Sequence, residues 1–107
     1  MVRAFSLLTG VPYKATHEWM KARTGRVDGW ATYTKELQQG VTFYGQKLIW
    51  KPARYVVVAK YVEEHKQGKY IIVLSEHMFA VLQGQVYDIT PVDYLRNRRA
   101  VFIITTE

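Results

Sequence analysis

The fold is decided by the stretch KYIIVLSEHMFAVLQGQVYD, residues 69–88. Two runs within it, a third that extends one residue beyond it and a fourth near the end of the chain are rich in β-branched and apolar residues: 69–74, 78–82, 85–89 and 101–105. Such runs are typical of strands, and Gln83-Gly84 is a two-residue turn signal between the second and the third. Four strands joined by short turns predict a meandering antiparallel sheet.

Helices are predicted before this sheet. Residues 2–8 are compact and apolar and end at Thr9-Gly10, and residues 12–23 begin with Pro12, which suits a first helical turn. Residues 56–65 contain valines that would also suit a strand, but their apolar spacing and Gly68 favour a helix. Between residues 26 and 52 the sequence pattern is weaker, and it predicts a helical turn or two over 32–39 and a short strand over 47–50.

These elements predict one α+β domain covering residues 1–107. Two or three N-terminal helices would pack on a C-terminal antiparallel sheet of about four strands. At 49% hydrophobic residues and 14% aromatic residues, the chain is too apolar to be intrinsically disordered. No signal peptide and no apolar run of about 18 residues occurs, so we expect a cytoplasmic protein without a membrane partner.

The cysteine count and the charge limit the function. Zero cysteines exclude a disulfide framework, a thiolate zinc site, an iron–sulfur cluster and a cysteine nucleophile within these 107 residues. The chain lacks a P-loop, GxGxxG, HExxH and EF-hand pattern, so neither a cofactor nor a metal is predicted. The net charge of +6 favours an anionic partner, although the cations are scattered.

His77 stands at the entry of a predicted strand, and the hairpin register gives it a partner. If Gln83 and Gly84 form a two-residue loop, Phe79 faces Asp88, and His77 becomes its diagonal neighbour on the same side of the sheet. The backbone positions of such diagonal neighbours on adjacent strands are roughly 7–8 Å apart, a distance that an imidazole and a carboxylate can span. The spacing therefore allows a His–Asp dyad, in which the carboxylate orients the imidazole as a general base requires. The alternative is an ordinary strand-end histidine and a turn aspartate.

Other residues offer alternative chemistry. A Ser6/His77/Asp88 set would resemble a hydrolase triad, but neither Ser6 nor Ser75 lies in a GxSxG elbow. Aromatic residues interleave with cations in the middle of the chain, as base stacking combined with phosphate contact would need. The candidate binding residues there are Trp30, Tyr33, Trp50 and Arg54. A structural role in the core or at an interface is the competing interpretation of these aromatics.

Two stretches resemble a known family. VRAFSLLTGVPY, residues 2–13, running on to His17-Glu18, and residues 68–88 resemble small papain-like cysteine peptidase domains of phage and bacterial genomes. In that family a cysteine at a helix start precedes the first pattern, and a histidine and an orienting acid belong to the second. The resemblance implies that His77 is the histidine, that Asp88 is the acid and that the cysteine position falls immediately before Met1. Glu76 departs from the pattern, which favours a small residue beside the histidine.

Three hypotheses follow. The first is a non-catalytic papain-like domain that binds or inhibits a protein partner, a host protein if the chain is phage-encoded as the resemblance implies. The second is a small basic protein that binds nucleic acid. The third is a truncated cysteine peptidase whose nucleophile lies upstream of Met1. Without a thiolate, His77 and Asp88 have nothing to activate except water, which favours the first hypothesis.

Overall fold

A computed structural model describes residues 2–24, 42–43, 45–75, 77–88 and 91–106. Four helices lie in these ranges: α1 (Val2–Thr9), α2 (Tyr13–Thr24), α3 (Val58–Glu64) and α4 (Val92–Leu95). Six strands lie there too: β1 (Thr42–Phe43), β2 (Gln46–Val57), β3 (Lys69–Val73), β4 (Met78–Leu82), β5 (Gln85–Tyr87) and β6 (Arg99–Thr106). The prediction of an α+β chain is confirmed.

The strand order corrects the prediction of a four-stranded meander that follows the helices. The strands pair in the order β1-β2-β6-β3-β4-β5, and every pairing is antiparallel. The last strand therefore lies between β2 and β3, and β1 and β2 precede α3 in the chain. A central position suits β6, whose apolar residues can be covered on both faces.

Both N-terminal helices confirm their predictions within a residue or so at each end. The apolar side of α1 is buried, with Phe5 1% and Leu8 0% exposed. The helix ends at Gly10, whose φ of 79° is the left-handed conformation that glycine adopts readily. Its N–H donates to the carbonyl of Ser6 at 3.0 Å. The side chain of Gln46 donates to the carbonyl of Thr9 at 2.9 Å and ties this end of α1 to β2.

The middle of the chain is partly explained. The short strand predicted over 47–50 is confirmed as part of the twelve-residue β2. The helix predicted over 56–65 is confirmed for Val58–Glu64, whereas Val56 and Val57 end β2. The helical turn predicted over 32–39 lies outside the described residues.

The sheet has a core on each face because successive strand residues point to opposite sides. The first core lies under α1 and α2 and is formed by Val2, Ala4, Phe5, Leu8, Met20, Leu48, Ile71, Val73, Met78, Ala80 and Ile104. The second core lies under α3 and α4 and is formed by Val58, Tyr70, Ile72, Leu74, Phe79, Val81, Leu95, Ala100 and Ile103. In the ranges that the structure describes, no helix is long and apolar enough to cross a membrane.

Tyr70 makes the second core sensitive to high pH. Its hydroxyl donates to the carbonyl of His65 at 3.0 Å. Burial first, and the neighbouring Tyr61 phenol second, raise the pKa of Tyr70 to about 12. This folded-state pKa lies above the unfolded value of about 10, so the stabilisation is fully present below pH ~10 and is lost as the pH rises from ~10 to ~12.

We therefore expect the free energy of unfolding to fall as the pH rises through this window, as measured by urea titration. Tyr70→Phe, which cannot ionise, should show a shallower fall. Some decline should persist in that variant, because burial also raises the pKa of Tyr61. Identical pH slopes for the parent and Tyr70→Phe would contradict the prediction.

Candidate functional site

The β4–β5 hairpin positions the two candidate residues. Its register pairs Ala80 with Tyr87 and Val81 with Val86, as the two-residue loop predicts. Gln83 and Gly84 adopt φ values of 52° and 80°, the positive pair that a type I′ turn requires. His77 directly precedes β4 and Asp88 directly follows β5, so both stand at one end of the hairpin.

The two side chains form the predicted contact. His77 Nε2 lies 2.7 Å from Asp88 Oδ2, a hydrogen bond and an ion pair when the imidazole is protonated. The side chain of Asp88 is 10% exposed and that of His77 is 38% exposed, so the carboxylate lies behind the imidazole. Because Nε2 faces the carboxylate, Nδ1 is the ring nitrogen that remains for another group. Such an arrangement fixes the tautomer and orientation of an imidazole.

Backbone and ring contacts hold His77 in place. The N–H of Leu74 donates to the carbonyl of His77 at 2.7 Å and closes the turn between β3 and β4. The imidazole and the Phe79 ring have centroids 6.2 Å apart and planes inclined by 31°. Phe79 is buried in the second core, so the histidine lies beside a buried residue of the sheet.

A small cavity links this pair to the first turn of α1. Its volume is about 130 Å³, and its lining consists of Arg3, Ala4, His77, Met78, Phe79, Tyr87 and Asp88. Ala4 and Met78 both belong to the first core, in which α1 packs against β4. The cavity therefore has the dyad on one wall and the start of a helix on another. The sequence analysis did not identify Arg3 as a residue of the site. The signal that could have identified it is its position three residues, about one helical turn, after the cysteine position that the resemblance implies.

Neither serine considered as a nucleophile belongs to this cavity. The hydroxyl of Ser6 donates to the carbonyl of Val11 at 2.7 Å and thus serves the link between α1 and α2. Ser75 is exposed and does not line the cavity. The structure therefore does not assemble the Ser6/His77/Asp88 set. Glu76 lies outside the described residues.

The four candidate binding residues do not form one surface in the described part of the chain. Trp30 and Tyr33 lie outside it. Trp50 is half-buried against the first core, and its ring meets Phe102 edge to face at 5.6 Å. Arg54 is exposed in an irregular part of β2. A binding role for these residues stays a prediction.

Metal chemistry has no support from the side chains that the structure describes. No group of three or more His, Asp and Glu residues with metal-binding geometry occurs among them. His17 stacks on Tyr13, and His65 Nδ1 lies 2.8 Å from the carbonyl of Tyr61 at the end of α3. Both histidines therefore contact the helices on which or beside which they lie.

No protein-family model, no curated protein and no solved structure matches this chain.

Proposed function

We propose that this chain is a papain-like domain that binds a peptide segment of a partner protein at the His77–Asp88 cavity without cleaving it. The 2.7 Å contact between the imidazole and the carboxylate, on a cavity shared with the first turn of α1, carries this proposal. A helix start and a His–acid pair at the end of a hairpin line this one cavity, and the sequence resemblance implies that these two parts lie together.

The absence of cleavage is inferred from the missing nucleophile. The imidazole of such a pair activates a thiol or hydroxyl that lies within hydrogen-bonding reach. These 107 residues contain no cysteine, and the hydroxyl of Ser6 donates elsewhere. Neither a cysteine nor the Ser6 hydroxyl is therefore available to form an acyl-enzyme, and we assign the cavity a binding role.

The edge of the sheet favours an extended peptide as the ligand. β5 is the last strand in the sheet order, so no further strand of the described chain pairs with its outer side. An exposed strand edge can accept an extended peptide by main-chain hydrogen bonding. A peptide added along β5 would run towards Asp88, where one of its side chains could enter the cavity of about 130 Å³.

Selection of peptides from a random 12-residue library tests the proposal. We expect selected peptides to stay intact and to bind the parent chain at least about tenfold more tightly than His77→Ala or Asp88→Asn. Each variant disrupts the His77–Asp88 pair that is proposed to hold the peptide, and a hydrogen bond to a charged group contributes about 1.5–3 kcal/mol. Lys14→Gln, an exposed change on α2, is the control and should bind like the parent. Failure to select any peptide, or equal affinity for all four proteins, would contradict the proposal.

A second candidate function is a cysteine peptidase whose nucleophile lies just upstream of Met1. It is favoured by the part that Arg3 and Ala4 take in the cavity lining. A residue immediately before Met1 stands three positions before Arg3 and four before Ala4, so a continued helix would present it on the same face. A thiol there would approach the wall that carries His77. Its test is the added cysteine described in the Discussion.

A further inference from the structure

Strand β2 contains an irregular turn that exposes two side chains. Pro52 pairs with Phe102 and Val56 pairs with Ala100, so three residues of β2 face one residue of β6. Arg54 and Tyr55 in this turn have φ values of 53° and 60°. This left-handed backbone conformation is unfavourable for residues other than glycine, and where it occurs it is often found at functional sites.

Arginines from the other end of the chain lie beside this turn. The Arg99 guanidinium donates to the carbonyl of Tyr55 at 3.2 Å. The N–H of Val58 donates to the carbonyl of Arg98 at 2.9 Å, and the N–H of Ala59 donates to that of Arg96 at 3.0 Å. These contacts bring the arginines together around the end of β2 and the start of α3. We call this region the arginine surface, and it consists of Arg54, Tyr55, Arg96, Arg98 and Arg99.

The charges of this surface are almost uncompensated. All four arginines are exposed. Arg96 lies 4.0 Å from Asp93, and both of these side chains are mostly exposed. Arg54, Arg98 and Arg99 form no ion pair with any carboxylate in the ranges that the structure describes. Like charges held together repel one another, and a bound polyanion would relieve that repulsion.

We propose that the arginine surface binds single-stranded nucleic acid through its phosphate backbone. Guanidinium groups match phosphate oxygens with paired hydrogen bonds. Tyr55 is 64% exposed beside them, and an exposed aromatic ring among cations is what base stacking uses. An acidic protein would use the same charges, whereas stacking of bases on this ring is specific to nucleic acid.

This inference is independent of the proposed peptide site. His77 and Asp88 do not belong to the arginine surface, and no residue of that surface lines their cavity. The variant His77→Ala should therefore lose peptide binding and keep nucleic-acid binding. The two proposals can fail separately.

The test is fluorescence anisotropy with a labelled 12-nucleotide single-stranded DNA of mixed sequence. Contacts with about three phosphates predict a log–log salt slope of about −2, so affinity should fall roughly 20-fold between about 50 and 200 mM salt. Arg54→Gln/Arg98→Gln should reduce the affinity at low salt by about tenfold or more and reduce the steepness of the slope by about 1.4. Lys14→Gln/Lys21→Gln removes the same charge from exposed positions on α2 and should change affinity far less.

Tyr55→Asn separates stacking from charge. Asparagine tolerates the left-handed backbone, so the turn should keep its shape. We expect the affinity for DNA to fall at least fivefold, the lower end of what one stacked base contributes. Tyr13→Asn, at an exposed position on α2, is the matched control.

Three results would overturn the assignment. The first is absent or salt-insensitive DNA binding at low salt. The second is an equal loss of affinity in the two double variants. The third is binding of a 12-residue polyglutamate peptide as tightly as the DNA, with no effect of Tyr55→Asn, which would indicate an acidic protein partner instead.

Discussion

Replacing Phe5 with alanine is expected to lower the free energy of unfolding by about 3–5 kcal/mol. Phe5 is 1% exposed and lies in the first core between α1 and the sheet. Its removal deletes a large apolar contact and leaves a cavity that close-packed neighbours fill only partly. Since a domain of this kind is stable by about 5–15 kcal/mol, the change removes a large part of the total. Urea unfolding followed by circular dichroism measures it.

Leu7→Ala is the matched control for this substitution. Leu7 lies on the same helix but is only partly buried, at the margin of the first core. Its truncation exposes less apolar area to water and should cost clearly less than Phe5→Ala. Equal costs for the two variants, or a loss below about 1 kcal/mol for Phe5→Ala, would show that α1 does not pack on the sheet as described.

Adding a cysteine immediately before Met1 is expected to create a thiol-dependent esterase. The added thiol would share a helix face with Arg3 and Ala4, which line the cavity of His77. The imidazole, oriented by Asp88, would take the thiol proton and generate the attacking thiolate. Hydrolysis of p-nitrophenyl acetate should be about 10²–10⁴ times faster than in the same variant carrying His77→Ala, the usual contribution of a positioned base.

Two controls accompany the esterase measurement. Lys14→Cys places a thiol on the exposed surface of α2, away from the cavity lining, and should show only the background rate of a free thiol. Adding serine instead of cysteine before Met1 should give far less activity, because a hydroxyl is a much weaker nucleophile at neutral pH. Equal rates for the added cysteine and Lys14→Cys would refute the proposed geometry.

Local signals in the sequence were sufficient to show that His77 and Asp88 could come into contact, although an ordinary strand-end histidine and a turn aspartate remained the alternative. The Gln83-Gly84 turn fixes the register of the β4–β5 hairpin, because a two-residue loop allows one pairing. That register alone places Asp88 opposite Phe79 and within reach of His77. The same is true of α1 and α2, whose ends are marked by glycine, proline and the apolar period. The structure agrees with each of these predictions because short-range geometry determines them.

Long-range pairing was beyond the same reasoning. No turn links β6 to β2 or β3, so the sequence contains no local signal that the last strand lies between them. The sequence did not indicate the length of β2, because Pro52 and the irregular turn after it interrupt the strand pattern. The arginine surface depends on contacts between residues about forty positions apart, such as Arg99 with Tyr55. None of these three features has a periodicity that a single sequence can reveal.

The pH dependence of alkylation of the cysteine added before Met1 tests the papain-like layout most directly. Iodoacetamide reacts with the thiolate, so the rate reports how readily the thiol ionises beside His77. We predict that the rate reaches half its maximum at least about one pH unit lower than in the His77→Ala background, with Asp88→Asn in between. Superimposable profiles for the three proteins would contradict a functional pairing of this helix end with His77 and Asp88.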